Sequence, residues 1–265
     1  MTAPPGWYPD SDQRYLRYWD GASWTEATAA LASGALPRSP TTSTSGLSAW
    51  LLGAITAVMV SDLAIGVALI GIAANPALRR FMESSATELP ETISSAEEAV
   101  YLVWSLGNVV YLPAVVLSGI LAMVWTWRVR VNADVLAPYH HARARGWAWA
   151  GWITPIVSLW FPRQVLRDVD RADKTALGST RSGTEPAPVG YWWGFYLGYW
   201  LIWQAASNVP AYGYEYALVW LLSTAAGLVA LVLFRRVVHT IKQDQEIIGS
   251  SPPDRSFAGP QPAWG

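Results

Sequence analysis

Leu47 to Ala74 reads LSAWLLGAITAVMVSDLAIGVALIGIAA, and one charged residue, Asp62, interrupts it. As a helix this stretch rises about 42 Å, more than the ~30 Å hydrocarbon core of a bilayer. Three further runs have the same character: Val100 to Trp127, Val189 to Ser207 and Tyr216 to Phe234. Each has roughly 19 residues or more, enough to cross as a helix. A fifth run, Gly146 to Phe161, reaches only about 24 Å, and Pro155 interrupts it.

Composition agrees with a membrane location. Of the 265 residues, 52% are hydrophobic and only 14% charged. A soluble domain carries about 25% charged residues, so this chain is too poor in charge for an ordinary aqueous surface. There are 17 tryptophans and 12 tyrosines, residues that collect where lipid meets water. A net charge of -1 gives no bias toward nucleic acid, and the lack of cysteine excludes disulfides, thiolate metal sites and a cysteine nucleophile. Met1 to Gly6 reads MTAPPG with no apolar run behind it, so no signal peptide is expected and the N-terminus stays in the cytoplasm.

Basic residues set the orientation. Between the first two runs, Glu83, Glu88, Glu91, Glu97 and Glu98 outnumber Arg79 and Arg80, which reads as the outer side. Arg128, Arg130, Arg143 and Arg145 follow the second run, and Arg163, Arg167, Arg171, Lys174 and Arg181 follow the fifth. Arg235, Arg236 and Lys242 follow the last. The fifth run is therefore basic on both flanks, and its crossing would strand one flank outside. The expected fold is an all-α integral membrane helical bundle with four transmembrane helices and one broken re-entrant or interfacial segment. A small aromatic, β-rich module precedes it, and both termini are cytoplasmic in a bacterial inner membrane.

The expected domains are a module at residues 1–35, a flexible linker at 36–46, the membrane domain at 47–248 and a disordered tail at 249–265. Pro37 to Gly46, PRSPTTSTSG, lacks the apolar residues a core needs, and Gly249 to Gly265 is rich in Gly, Pro and Ser. Within the membrane domain, Pro162 to Ala172 predicts an amphipathic interfacial helix. Val165, Leu166, Val169 and Ala172 lie on one face, and Arg163, Arg167, Asp170 and Arg171 on the other. Val237, Val238, Ile241 and Ile248 carry the last helix on into the cytoplasm.

Pro5 to Thr25 reads PGWYPDSDQRYLRYWDGASWT. Its Pro-Gly and Asp-Gly pairs are turn signals, and the aromatics between them suit short strands. Trp7, Tyr8, Tyr18, Trp19 and Trp24 form the candidate aromatic face, and Trp24-Thr25-Glu26 leads into a short helix through Leu31. The ordered set PGWYPD, RYWDG and WT resembles an actinobacterial module, domain of unknown function DUF2510, with Ser11 where that family has proline. Two readings stand: a face that docks a cytoplasmic protein, the membrane or the chain's own helices, and a self-packed aromatic knot.

A second constellation runs from Trp125 to Ala172. Asn132-Ala133, Gly151-Trp152, Pro155-Ile156, Leu159-Trp160, Pro162, Gln164 and Asp168 carry it, with Tyr191-Trp192-Trp193 and the Ile241 to Gln245 segment. It resembles the membrane domain DUF4328 over about Val100 to Glu246, which implies a multi-helix membrane domain and no known activity. Within it Trp152, Pro155, Trp160 and Pro162 form a broken-helix motif. Such breaks line ion or substrate paths in some proteins and are packing kinks in others.

Asp62 lies near the middle of the first run. A carboxyl there costs at least about 2.5–3.5 kcal/mol on insertion scales, so it must face the bundle or a water-filled cavity. Its candidate partners are Asn108 and the hydroxyls of the bundle. The arrangement is either a proton or cation site or a single interhelical hydrogen bond. Asp134, His140 and His141 are neighbours in sequence, but adjacent histidines do not share a helix face, and no metal site is expected. No HExxH, GxSxG or P-loop pattern is present, so neither an enzyme nor a cofactor is expected. The expected role is a scaffold, sensor or docking protein, acting through the lipid bilayer and a cytoplasmic protein partner of residues 1–35. The alternative is a small transporter or channel using Asp62, Asn108 and the Pro155 break. The sequence leaves the oligomeric state open.

Overall fold

The computed structural model describes residues 6–9, 15–30, 42–84, 93–136, 142–177, 187–206 and 208–250. The chain divides into two compact units, one of residues 1–41 with 246–265 and one of Thr42–Gln245.

The first unit contains a three-stranded antiparallel sheet, β1 (Gly6–Pro9), β2 (Tyr15–Trp19) and β3 (Trp24–Ala30), in sequential order. The Asp-Gly signal makes the second turn. Asp20 accepts from the N–H groups of Ala22 (2.7 Å) and Ser23 (2.6 Å), and Gly21 takes a φ of 100° that favours glycine. Trp24 packs edge-on against Tyr8 and Trp19, with ring centroids 5.7 and 5.2 Å apart. The helix expected after Trp24 is instead β3. Seven residues are too few for a helix to stand alone, whereas pairing with β2 from Trp19↔Trp24 to Tyr15↔Ala30 satisfies their backbone. Leu31 lies outside the described residues.

The second unit is all-helical: α1 (Ser45–Ala74), α2 (Pro76–Glu83), α3 (Ser95–Leu136), α4 (Trp147–Ile153), α5 (Phe161–Leu177), α6 (Val189–Ala206) and α7 (Tyr214–Ser250). A 3-10 turn at Val157–Leu159 separates α4 from α5. Three helices, α1, α3 and α7, are long and apolar enough to cross a membrane. Their outward residues, such as Val60, Leu106, Val109, Leu112, Leu218 and Leu222, are exposed apolar side chains that suit lipid and not water. α6 has 18 residues and no charge, but eight of them are Trp, Tyr or Phe, so it is less apolar than the other three.

α3 and α7 have 42 and 37 residues. They rise about 63 and 55 Å, well beyond the ~30 Å of hydrocarbon. Trp125 and Phe234 pack edge-on at 5.7 Å where the two helices leave their most apolar stretches, and Trp125 is fully buried. Beyond that point α5 joins them, burying Val165, Leu166, Val169 and Ala172. Asp170 is also buried, contrary to its expected place on the polar face beside Arg167 and Arg171, which are exposed. Its carboxylate accepts the Ala187 N–H (3.2 Å) just before α6, where a helix start leaves donors without partners.

The expected break is present. Thr154 N–H and its hydroxyl both bond the Ala150 carbonyl (3.0 and 2.8 Å). Val157 N–H then reaches back to the Pro155 carbonyl (2.7 Å) across Ile156, which sits at φ 65°. That is a γ-turn of the strained hand, adopted here by a β-branched residue. α4 has seven residues and rises about 10 Å.

Of the expected linker, residues 36–41 lie outside the described residues. The rest is fastened, not free: Thr44 is 6% exposed and its carbonyl accepts the Ser48 N–H at the start of α1 (2.8 Å). The expected tail lies outside the described residues from 251 onward, and Gly249 and Ser250 complete α7.

Close helix contacts depend on small residues, as is usual in lipid. A Cβ at Gly107 would lie 2.7 Å from Ile65 Cγ1, where α3 meets α1. At Gly119, on the same helix, it would meet nothing within 4 Å. Gly107→Val is expected to lower stability by about 1–3 kcal/mol through overpacking, and Gly119→Ala to leave it unchanged. Thermal unfolding in detergent checks this, and equal midpoints for the two variants would overturn the α1–α3 contact.

Candidate functional site

Two buried polar constellations lie in the helical unit. The first is centred on Asp62, which is 1% exposed. Its position halfway along an apolar helix forces it inward, because hydrocarbon does not solvate a carboxyl. One oxygen accepts the Tyr199 hydroxyl of α6 (2.8 Å), and that hydroxyl lies 3.1 Å from the Tyr111 hydroxyl of α3. The other oxygen has no partner among the described residues. The Asp62 backbone carbonyl accepts the Trp220 indole N–H of α7 (3.0 Å), and Ser223 of α7 donates to the Tyr199 carbonyl (2.9 Å). One residue of α1 thus engages the three other long helices, directly or through Tyr199.

Of the candidate partners, a hydroxyl of the bundle is the one Asp62 meets, and Asn108 is elsewhere. It is exposed, and its amide donates to the Trp104 carbonyl one turn back in α3 (2.8 Å). A helix interior offers Asn a carbonyl at i−4, and this one takes it. The true partners are tyrosines, which present an apolar ring to the bundle and a hydroxyl at its tip.

The second constellation lies beyond the Trp125–Phe234 contact, between α3, α5 and α7. The Asn132 side-chain amide bonds the Thr42 backbone twice, accepting its N–H (3.1 Å) and donating to its carbonyl (3.0 Å). The second Asn132 N–H goes to Gln245 Oε1 (3.1 Å). Gln245 Nε2 donates to the Val129 carbonyl (3.0 Å) and to Asp173 Oδ2 (3.2 Å). Asp173 is fully buried, and its other oxygen has no partner among the described residues. Beside it, Lys174 pairs with Asp244 (2.7 Å). Burial pushes the Asp173 carboxyl well above its ordinary 3.8, and the nearby Asp244 and Asp170 add to the effect against the Gln245 bond and Lys174. Burial also raises Asp170, against its bond from Ala187.

The sequence reading named bundle hydroxyls without singling out Tyr111 or Tyr199, and it missed Asp173. For Asp173 a signal existed. It continues the stripe of Leu166 and Val169 at helical spacing, as Asp244 and Gln245 continue that of Val237, Val238 and Ile241. For Tyr199 there was none, because α6 is aromatic on every side.

Of the broken-helix residues, Trp152 packs on α6, and the break itself is met by α6. The Leu159 carbonyl, left over by the break, accepts the Trp193 indole N–H (2.7 Å). Trp152 packs edge-on against Trp193 at 6.1 Å, and its own N–H is buried without a partner. Pro162 is buried in the first turn of α5, while Pro155 and Trp160 face outward. In the first unit Tyr8, Tyr18, Trp19 and Trp24 are half-buried. Trp7 pairs its backbone with Tyr18, and its side chain lies outside what is described. Asp134 is held by Arg130 and by Arg145 (2.7 Å), and His140 and His141 lie outside the described residues. Among the described residues no group of three His, Cys, Asp or Glu is placed to hold a metal ion.

Fold and polar interior together define a multi-pass helical membrane protein with a small aromatic β module ahead of it. Residues 86–243 match the family described as domain of unknown function (DUF4328), and the chain belongs to that family. Residues 5–37 match the module described as protein of unknown function (DUF2510). No curated protein and no solved structure matches the chain.

Tyr199→Phe removes the one hydrogen-bond donor to the Asp62 carboxyl, whereas Tyr111→Phe leaves it in place. The first is expected to cost about 1–3 kcal/mol, the usual cost of an orphaned buried polar group, and the second less. Thermal unfolding of the purified protein ranks them, and the reverse order would overturn the assigned partnership.

Proposed function

We propose that this chain is a membrane-anchored docking protein of the bacterial inner membrane. Its N-terminal module, residues 1–35, binds a protein partner in the cytoplasm, and its helices hold that module at the membrane. The carrying observation is that the module is built separately. Its three strands, its Asp20 turn and its Trp24-centred ring contacts belong to a compact unit distinct from Thr42–Gln245. The polar interior of the helical unit fits an anchor, since Asp62 and Gln245 each tie several helices to one another. This role requires no catalytic step.

The topology that goes with it has four crossings, α1, α3, α6 and α7, with both termini cytoplasmic. The break between α4 and α5 does not cross. Arg143, before α4, donates to Gln164, after the break (2.9 Å), and its guanidinium lies 4.5 Å from the centre of the Phe161 ring. That contact favours entry and exit at the same end of the bundle. It also keeps both basic flanks on one side, in agreement with the positive-inside rule.

One observation favours a second reading, a small transporter. Asp62 is buried with an unpartnered oxygen beside a pair of tyrosine hydroxyls, and intramembrane carboxyls mark ion and proton paths in other proteins. Here Tyr199 and Tyr111 take the place expected of Asn108. Asp62→Asn separates the readings, because it abolishes transport in reconstituted vesicles and leaves partner binding intact.

Two experiments test the main reading. Single cysteines at the exposed positions Ala96, Ala142 and Thr175 are treated in intact cells with an impermeant thiol reagent. Ala96→Cys is expected to label and the other two to stay shielded, and labelling at either would overturn the topology. Cross-linking in cells, comparing the full chain with one lacking residues 1–35 and with Trp19→Ala, tests docking. A protein adduct that survives both changes would rule the module out as the docking element.

A further inference from the structure

The Asn132–Gln245–Asp173 network has a direction. Each amide hydrogen of Asn132 and Gln245 is assigned: two from Asn132 to Thr42 O and Gln245 Oε1, two from Gln245 to Val129 O and Asp173 Oδ2. Turning either amide over would set N–H against N–H. The network therefore closes only when Asp173 offers Oδ2 as an acceptor inside a dry contact of α5 with α7. A neutral carboxyl does this with its proton on Oδ1, the oxygen that has no partner.

An ionised Asp173 does not fit the same place. Its charged neighbours on α5 are Asp170 and Lys174, and on α7 Asp244. The Lys174 ammonium is taken by Asp244 (2.7 Å), and Arg130 of α3 is engaged by Asp134 and the Arg143 carbonyl. One amide N–H would then be the only hydrogen-bond donor to a fully buried anion, with two carboxylates close by. A buried charge without pairing is costly, so water must enter and α5 must part from α7. Gln245 loses its acceptor, and Asn132 loses the partner that orients it on Thr42.

We propose that Asp173, Gln245 and Asn132 form a proton-keyed latch that fastens the chain entering α1 to α3, α5 and α7 while Asp173 is neutral, and frees Thr42 when Asp173 ionises. Thr42 opens the helical unit, directly after the residues of the other unit. The sign of the latch follows from linkage. The folded state holds the Asp173 proton above the ordinary 3.8. Its stabilising effect is complete below that value, declines as pH rises toward the folded value, and is lost above it.

Hydrogen exchange read by mass spectrometry on the full chain in lipid nanodiscs tests this. The readout is protection of the Thr42 amide, corrected at each pH for the intrinsic rate. Wild type is expected to lose protection roughly tenfold as pH rises, about the factor one buried hydrogen bond confers. Asp173→Asn keeps the neutral geometry and is expected to stay protected throughout. Asn132→Ala removes the acceptor for Thr42 N–H together with both donors, and is expected to be unprotected at every pH. The latch is overturned if wild-type protection does not change with pH, or if Asp173→Asn titrates like wild type.

Discussion

Hydrophobic burial does little to choose one helix face over another in a bilayer, because lipid tails are as apolar as leucine. Polar contacts make the choice, and in this chain the indole N–H of tryptophan supplies several of them. Trp125 of α3 donates to Ser48 of α1 (3.0 Å), Trp220 of α7 to the Asp62 carbonyl of α1 (3.0 Å), and Trp193 of α6 to the Leu159 carbonyl (2.7 Å). Each is a large apolar body that packs like a core residue and carries one donor at its edge. The abundance of tryptophan therefore serves the interior of the bundle as well as its margins.

The same requirement explains how a break is tolerated. Pro155 and the strained Ile156 interrupt the ladder between α4 and α5. Backbone left without partners is expensive away from water. The cost is met locally by the Thr154 hydroxyl and the Pro155–Val157 turn, and across the bundle by Trp193. Gly151 lets α4 approach α5 closely, since a Cβ there would stand 3.0 Å from Phe161 Cβ. This seven-residue helix is thus held firmly against α5.

Beyond their apolar runs, α3 and α7 continue together and take α5 as a third partner. This end of the bundle buries amides and carboxyls where the other part buries aromatics. The amides of Asn132 and Gln245 are matched in direction, which gives a unique register in place of interchangeable greasy contacts.

Long apolar runs, the basic flanks, the Pro155 break and the PGWYPD to WT pattern were legible in the residues themselves. Each follows from local physics: the length of a lipid-crossing helix, the missing N–H of proline, the turn preferences of Gly and Asp. Periodicity also marked the buried faces of α5 and α7, although Asp170 and Asp173 broke the rule that charge lies outward. Only the tertiary structure decided which groups meet. Asp62 finds Tyr199, 137 residues away, and not Asn108, and the stretch after Trp24 becomes a strand because β2 lies beside it. Sequence determines what each segment must bury. The partner of a buried polar group is chosen by which helix faces pack together, and an aromatic helix such as α6 has no single face to read.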